Sequence, residues 1–117
     1  MTTFQKNLLV VLILISALFN TTFAQNLSPK KDKATKKYGF VNKADEWVIQ
    51  PTYDDADKFK DGIAHIYTNK KAGLITEAGV ILIEPRFDDI EKFKDDIAIV
   101  KDNKKYGFID NTGKVLS

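Results

Sequence analysis

The sequence predicts an all-β protein made of antiparallel hairpins, or meanders, that repeat every 34 residues. Residues 36–69 align with residues 70–103 without a gap, and a partial third copy occupies residues 104–117. The apolar residues of each copy are β-branched or aromatic, and no helical period of adequate length occurs. Repeated units bury their apolar faces against their neighbours, so we expect a small barrel-like or sandwich-like array.

Two segments recur in the copies and define the repeat. KKYGFV begins at Lys36, KKAGLI at Lys70 and KKYGFI at Lys104, while PTYDDADKFKDGIA from Pro51 matches PRFDDIEKFKDDIA from Pro85. A glycine inside a strand admits a bulge or a close backbone approach, which explains its recurrence after the lysine pair. The repeat-defining structural residues are Tyr38, Gly39, Gly73, Tyr106, Gly107, Pro51, Pro85, Phe59 and Phe93.

Three strands are expected in each full copy. In the first copy they cover residues 38–41, 47–50 and 63–67, and Pro51, which cannot donate to a ladder, should end the second strand. The same reasoning places the end of the matching strand at Pro85. The apolar run 80–83 predicts that both faces of its strand are covered.

The turn between the first two strands has the same residue preference at one position in all three copies. Asp45, Gly79 and Gly113 occupy equivalent positions in the three copies. These residue types tolerate the left-handed backbone conformation that a short hairpin loop with a bulge requires. A hairpin is therefore expected at each site.

The first 24 residues have the layout of a secretory signal peptide. One positive charge precedes the twelve-residue stretch from Leu8 to Phe19, which is too short to span a bilayer. Thr22 and Ala24 suit a cut before Gln25. We therefore expect an exported protein, periplasmic or extracellular in a bacterium, with no transmembrane segment after signal removal. The lysine-rich residues 25–35 are predicted to be a flexible linker before the repeat domain, residues 36–117.

Composition excludes several classes of partner. Residues 25–117 hold 17 basic and 16 acidic residues, which argues against nucleic-acid binding, because phosphate recognition needs a concentrated basic face. The chain has no cysteine, so burial rather than disulfide bonding must stabilise it. No phosphate-cradling glycine loop or zinc-ligand spacing occurs, and we expect no cofactor.

The unit resembles the WG-repeat family of bacterial proteins. The resemblance rests on KYG, KAG and KYG, an acid-rich turn, a Pro-aromatic-Asp-Asp segment and a Phe-x-Asp-Gly-Ile-Ala strand, and it covers residues 36–117. Tyr38, Ala72 and Tyr106 stand where the family has tryptophan. The resemblance implies a β-rich repeat of largely unknown function and no catalytic residues.

Few residues could carry chemistry. His65 is the only histidine and aligns with Ile99, so the fold does not require a polar group there. Clustered acids near residues 54–61 and 88–96 could suggest calcium, but lysines are interspersed and Phe59 occupies a ligand position. We predict no metal site and no catalytic residue, and a set of candidate binding residues comprising Tyr67, His65 and Lys101. Tyr67 aligns with Lys101 and is expected to face water.

The leading hypothesis is a non-enzymatic module of the cell envelope that binds another protein or a surface polymer. Repeat arrays offer extended surfaces without a catalytic cleft. An alternative is a self-associating structural piece that forms homo-oligomers through open strand edges. A third class, a carboxylate-dependent glycosidase, would need two acids converging in a cleft, and the turn acids are expected to be exposed.

Overall fold

The computed structural model describes residues 26–116, and this part of the chain is entirely β-strand and turn. The predicted signal peptide, residues 1–24, lies outside the described residues. All strand pairs are antiparallel, which confirms the predicted fold class. The ten strands are β1 (Ser28–Lys31), β2 (Tyr38–Val41), β3 (Trp47–Tyr53), β4 (Asp55–Ala56), β5 (Ile63–Thr68), β6 (Lys71–Thr76), β7 (Ile81–Phe87), β8 (Asp89–Ile90), β9 (Ile97–Asp102) and β10 (Lys105–Asp110).

The strands form three sheets that straddle the boundaries of the sequence repeat. The first sheet is β1-β2-β3, the second is β4-β5-β6-β7, and the third is β8-β9-β10. The second sheet thus joins the end of one repeat to the start of the next through the β5–β6 hairpin. Asn69 and Lys70 at its tip both have positive φ, as do Asn103 and Lys104 in the next copy. These paired left-handed residues make the tight two-residue loop that suits strand twist.

The predicted hairpin loop between β2 and β3 is confirmed and recurs in the other copies. Asp45, Gly79 and Gly113 have φ of 63°, 84° and 88°. In the first loop the side-chain Oδ1 of Asn42 accepts hydrogen bonds from the amides of Ala44 and Glu46, both at 3.0 Å. A short polar side chain at the loop entrance and a left-handed residue at its end therefore fix the turn.

A bulge at each proline lets one strand cross closely over a glycine. The β2–β3 register shifts between Tyr38 and Phe40, so that residues 50–52 arch opposite Gly39. A Cβ at Gly39 would lie 2.3 Å from the carbonyl oxygen of Ile49, and one at Gly73 would lie 2.4 Å from that of Ile83. The glycines are needed because the bulged backbone leaves no room for a side chain.

The prediction that proline ends the second strand is wrong. Pro51 and Pro85 lie inside β3 and β7, which continue to Tyr53 and Phe87. Proline is tolerated here because these strands lie at the edge of their sheets and the residue sits in the bulge, where its missing N–H removes no ladder hydrogen bond.

Two apolar cores lie between consecutive sheets, which makes the array a sandwich-like stack that is not closed into a barrel. The first core includes Phe40 and Tyr53 from the first sheet and Ile66 and Ile75 from the second. The second core joins Leu74 and its neighbours in the second sheet to the third sheet. The second sheet therefore packs on both faces, and β6 is buried along its central four residues.

The strand with two covered faces is β6, not the run 80–83. Val80 is 56% exposed and Ile81 is 39% exposed, whereas Ile83 is buried. The prediction was wrong because β7 is an edge strand, and consecutive apolar residues there do not face two layers.

Residues 28–31 form a strand, so the predicted flexible linker is wrong for this segment. β1 pairs with β2 from Ser28 opposite Val41 to Lys31 opposite Tyr38. Leu27 is 8% exposed and belongs to the first core. Strand β1 takes the place beside β2 that β5 takes beside β6, and it forms one edge of the first sheet.

Each sheet has one tyrosine in the cross-strand pair that precedes the recurring glycine, and in the second sheet this tyrosine lies on β5 rather than on β6. Cross-strand neighbours are Lys31 and Tyr38 in the first sheet, Tyr67 and Ala72 in the second, and Lys101 and Tyr106 in the third. Each pair contains one tyrosine. Ala72 is buried beside Tyr67, so the aromatic ring on β5 fills the space that Ala72 leaves.

We predict that Gly73→Ala lowers the free energy of unfolding by about 3 kcal/mol, because the added Cβ would meet the backbone of residues 83–85. Chemical denaturation of both proteins would measure the change. Gly107→Ala is the matched control, since Gly107 lies in a regular part of the β9–β10 ladder opposite Val100. Equal effects of the two substitutions would contradict the crossing as the cause.

Candidate ligand-binding groove between the repeats

A groove of about 1130 Å³ opens between the two copies of the KFKD segment. We call it the inter-repeat groove. It is lined by residues 57–61 of the first repeat and residues 90–93, 95 and 96 of the second, with Ile63, His65 and Tyr67 from β5 and Asn111 from the third copy. Both full repeats therefore contribute equivalent residues to one surface.

Phe59 and Phe93 anchor the two sides of the groove. The rings of Phe59 and Phe40 lie 4.7 Å apart at 53°, so Phe59 packs on the first core. Phe93, its counterpart, packs on the second core. Each ring is half-buried and lines the groove, so the groove has apolar patches between charged side chains. Two of the residues predicted to define the repeat, Phe59 and Phe93, thus also line this groove.

The charged residues of the groove lie on both sides of the two phenylalanines, and Asp61, Asp95 and Asp96 lie in the turns that follow them. Asp61 and Asp95 both have φ of 52°, and each turn is closed by the bridge between the preceding lysine and the following isoleucine. The groove lining holds five carboxylates and three lysine ammonium groups, an excess of two negative charges. The recurrence of the segment after 34 residues is the sequence signal for this juxtaposition.

Tyr67 lies in the groove, as a binding candidate should, but it is half-buried rather than exposed to water. Its hydroxyl donates a hydrogen bond of 2.7 Å to Oδ2 of Asp57. Burial, followed by the hydrogen bond to this carboxylate, raises the pKa of Tyr67 far above its usual value of 10.0. The phenol therefore remains a neutral donor at physiological pH. The expectation that it faces water was wrong because its ring packs on the second core.

His65 also lies in the groove, on the same face of the second sheet as Tyr67. It pairs with Leu74 across β5 and β6. Its Nε2 atom is buried and has no hydrogen-bond partner among residues 26–116. A buried imidazole nitrogen without a partner is unfavourable for folding.

Lys101, the third predicted binding residue, does not line the groove. It lies on β9 with its Nζ 5.9 Å from the ring centroid of Tyr106, its cross-strand neighbour. Tyr67 and Lys101 occupy equivalent positions in the two repeats. The structure separates them because Tyr67 belongs to an interior sheet and Lys101 to the third sheet.

The acid pairs at residues 54–55 and 88–89 lie outside the groove lining. Asp54 accepts hydrogen bonds from Lys37 Nζ and from the amide of Asn69, the latter at 2.8 Å. Asp88 makes the equivalent bonds to Lys71 and to the amide of Asn103. Lys71 and Asn103 hold the pKa of Asp88 below its usual range. Asp54 and Asp88 therefore stabilise the two-residue hairpin loops that begin at Asn69 and Asn103.

No cluster of three or more histidine, aspartate or glutamate side chains suited to a metal ion occurs within residues 26–116. In the same part of the chain, no helix has the length and apolar character needed to cross a membrane.

We expect His65→Ile to raise the free energy of unfolding by about 1 kcal/mol, because it removes a buried nitrogen without a partner and introduces the residue found at position 99. Thermal and chemical denaturation would both measure the gain. Tyr67→Phe, which removes a satisfied hydroxyl from the same face, should not stabilise the protein. A His65→Ile variant that is less stable than the wild type would contradict this prediction.

Replacing Asp88 with asparagine should destabilise the protein in a pH-dependent manner. Since the pKa of Asp88 is lower in the folded state than its usual 3.8, the carboxylate stabilises the fold above that pH. This stabilisation is lost as the pH falls through the folded-state pKa. Denaturation at about pH 7 and about pH 3 should show a larger difference between wild type and Asp88→Asn at the higher pH.

Asp89→Asn is the matched control for Asp88→Asn. Asp89 is adjacent and exposed, and its side chain makes no hydrogen bond within residues 26–116. A pH dependence of equal size in both variants would contradict the role of the Lys71–Asp88–Asn103 contacts.

Comparison with known proteins agrees with the repeat architecture. The model of the WG containing repeat matches the chain twice, at residues 38–71 and 73–106. No curated protein and no solved structure matched the chain. The two matches cover more than half of the sequence and coincide with the repeated strands and the residues of the inter-repeat groove. The chain therefore belongs to the WG-containing repeat family.

Proposed function

We propose that this protein is a non-enzymatic, exported binding module whose inter-repeat groove holds a basic, partly apolar segment of another protein at the cell envelope. The observation that carries the proposal is the groove itself, which both repeats build from equivalent residues. A surface of this size and mixed character suits a protein segment that lies across the two repeats.

The charge of the groove favours a basic partner. Five carboxylates outnumber three ammonium groups, and three of the acids, Asp61, Asp95 and Asp96, lie on turns that fix their backbone. Lysine or arginine side chains of a partner would be attracted to these acids, and salt would weaken the attraction because the acids are exposed.

The rings of Phe59 and Phe93 supply the apolar contacts. Each ring already packs on one side against an apolar core, so little side-chain conformational entropy is lost when a partner covers it. Tyr67 adds an oriented hydroxyl beside Asp57. Rigid aromatic rings between charged groups favour binding of an extended segment with alternating apolar and basic side chains.

The polar groups of the groove are better suited to binding a partner than to catalysing a reaction. The hydroxyl of Tyr67 is engaged with Asp57, and its raised pKa disfavours the nucleophilic phenolate. The only histidine keeps Nε2 buried. Export is supported by the apolar run from Leu8 to Phe19 and the small residues at positions 22 and 24.

A cationic peptide of alternating lysine and leucine tests the proposal, with a glutamate–leucine peptide as the charge-reversed control. Nuclear magnetic resonance titration should show shifts of backbone amides confined to residues 57–67 and 90–97 and to Asn111, with the cationic peptide only. Raising the salt concentration should weaken binding. Equal binding of the two peptides would contradict a basic partner and would favour a neutral surface polymer.

Asp61→Asn with Asp95→Asn should weaken binding of the cationic peptide about tenfold, because the pair removes the excess negative charge of the groove. Asparagine tolerates the left-handed backbone at both positions. The matched control is Asp55→Asn with Asp89→Asn, equivalent acids of the two repeats that do not line the groove. Equal affinity of the two double variants would refute the groove as the site.

A further inference from the structure

In the part of the chain that the structure describes, the strands next to the inter-repeat groove have their outer edges already paired. The carbonyl groups on the outer sides of β5 and β9 accept backbone hydrogen bonds of 2.8 to 2.9 Å from the residues that precede each strand. The donors are the amides of Asp54, Asp57 and Lys60 in the first repeat and of Asp88, Glu91 and Lys94 in the second. Residues 57–59 and 91–93, which cover these edges, are not strand themselves. A partner therefore has no edge here to which it could add a strand.

The lining of the groove also differs from one that suits a helix. An amphipathic helix binds by laying a continuous apolar stripe into an apolar groove. In the inter-repeat groove, Phe59 lies between Lys58 and Lys60. Phe93 follows Lys92, which also lines the groove. The apolar contacts are therefore separate rings with charged neighbours, and they favour a segment whose side chains meet the rings one at a time.

We propose that the segment held in the groove adopts the polyproline-II conformation, with prolines against the rings of Phe59 and Phe93 and an arginine beside Tyr67 and Asp57. This inference rests on the proposed function and specifies the chemistry of the partner. The polyproline-II helix has no internal hydrogen bonds and keeps its backbone solvated, so it needs no strand edge. Its preset conformation also reduces the entropy that is lost on binding in an aromatic-lined groove.

The two phenylalanines are suited to proline contacts. They are equivalent residues of consecutive repeats, each is half-buried, and each packs on an apolar core. Proline has no N–H group, so covering its ring with an aromatic side chain leaves no donor without a partner. Phe59 and Phe93 therefore provide two similar apolar contacts for one proline-rich segment.

Tyr67 and Asp57 are suited to an arginine contact. The hydroxyl of Tyr67 donates a hydrogen bond of 2.7 Å to Oδ2 of Asp57, which holds the carboxylate beside a ring that lines the groove. A guanidinium group stacks on an aromatic ring and donates several N–H groups to a carboxylate in one plane, whereas a lysine ammonium is a point charge. The partner is therefore expected to carry arginine rather than lysine at this place.

The test measures the affinity of the full chain for a peptide of three Pro-Pro-Arg units by isothermal titration calorimetry. An Ala-Ala-Arg peptide of the same length is the control for conformation, and a Pro-Pro-Glu peptide is the control for charge. We expect the Pro-Pro-Arg peptide to bind at least about tenfold more tightly than either control. A Pro-Pro-Lys peptide should bind about fivefold more weakly than the Pro-Pro-Arg peptide, because lysine lacks the planar donor group.

Phe93→Leu tests the contact with the ring, since leucine keeps an apolar side chain against the second core. It should weaken binding of the Pro-Pro-Arg peptide about fivefold. Phe108→Leu is the matched control, because Phe108 is 46% exposed and does not line the groove. Asp57→Asn, at an exposed position, is a second variant that leaves the cores untouched. It should remove the preference for arginine over lysine. Far-UV circular dichroism of each variant should match that of the wild type.

Several results would overturn the proposal. If the lysine–leucine peptide binds at least as tightly as the Pro-Pro-Arg peptide, the polyproline-II conformation is rejected and the proposed function stands. If neither cationic peptide binds, both are rejected. Tighter binding of an uncharged β-glucan hexasaccharide than of any peptide would assign the groove to a surface polymer. Equal affinity of Phe93→Leu and Phe108→Leu for the Pro-Pro-Arg peptide would reject the ring contact.

Discussion

The close crossing of a bulged strand over a glycine is the constraint on which the hairpins depend. At Gly39 and Gly73 the partner backbone passes within the space that a Cβ would occupy. The bulge places a proline where no ladder hydrogen bond is needed and lets β3 and β7 continue past it. The strand that emerges leads directly to the Asp-Asp segment, whose first acid holds the tight loop of the next hairpin.

Stacking then determines which apolar residues become core. An isolated sheet of three or four short strands cannot bury both faces, so each sheet relies on its neighbours. The second sheet receives this support on both sides, and β6 is its most buried strand. At the N-terminal end β1 completes the first sheet and Leu27 enters the first core. At the other end the third sheet keeps apolar side chains on its surface.

The inter-repeat groove is a product of the same stacking. The two KFKD segments approach each other because consecutive repeats place them on successive layers, with Phe59 on the first core and Phe93 on the second. Their acids and lysines are left at the surface. His65 is unfavourable where it lies, since its buried Nε2 has no partner within the described residues.

Much of the architecture follows from sequence alone. The 34-residue period, the strand cores, the left-handed loop positions and the need for glycine at 39 and 73 all come from local rules, namely side-chain alternation, backbone sterics and repetition. The sequence also marked His65 and Tyr67 as binding candidates. These features depend on residues within one hairpin or exactly one repeat apart.

Only the tertiary structure decided how layers meet. The stacking of the sheets placed the prolines inside strands and ordered residues 28–31 as β1. It also left Val80 and Ile81 exposed, packed the ring of Tyr67 on the second core and kept Lys101 out of the groove. Local patterns cannot determine these outcomes, because identical register positions are buried or exposed according to whether another sheet covers them. Phe40, Leu74 and Phe108 have equivalent local sequence, and their burial differs only through what packs against each.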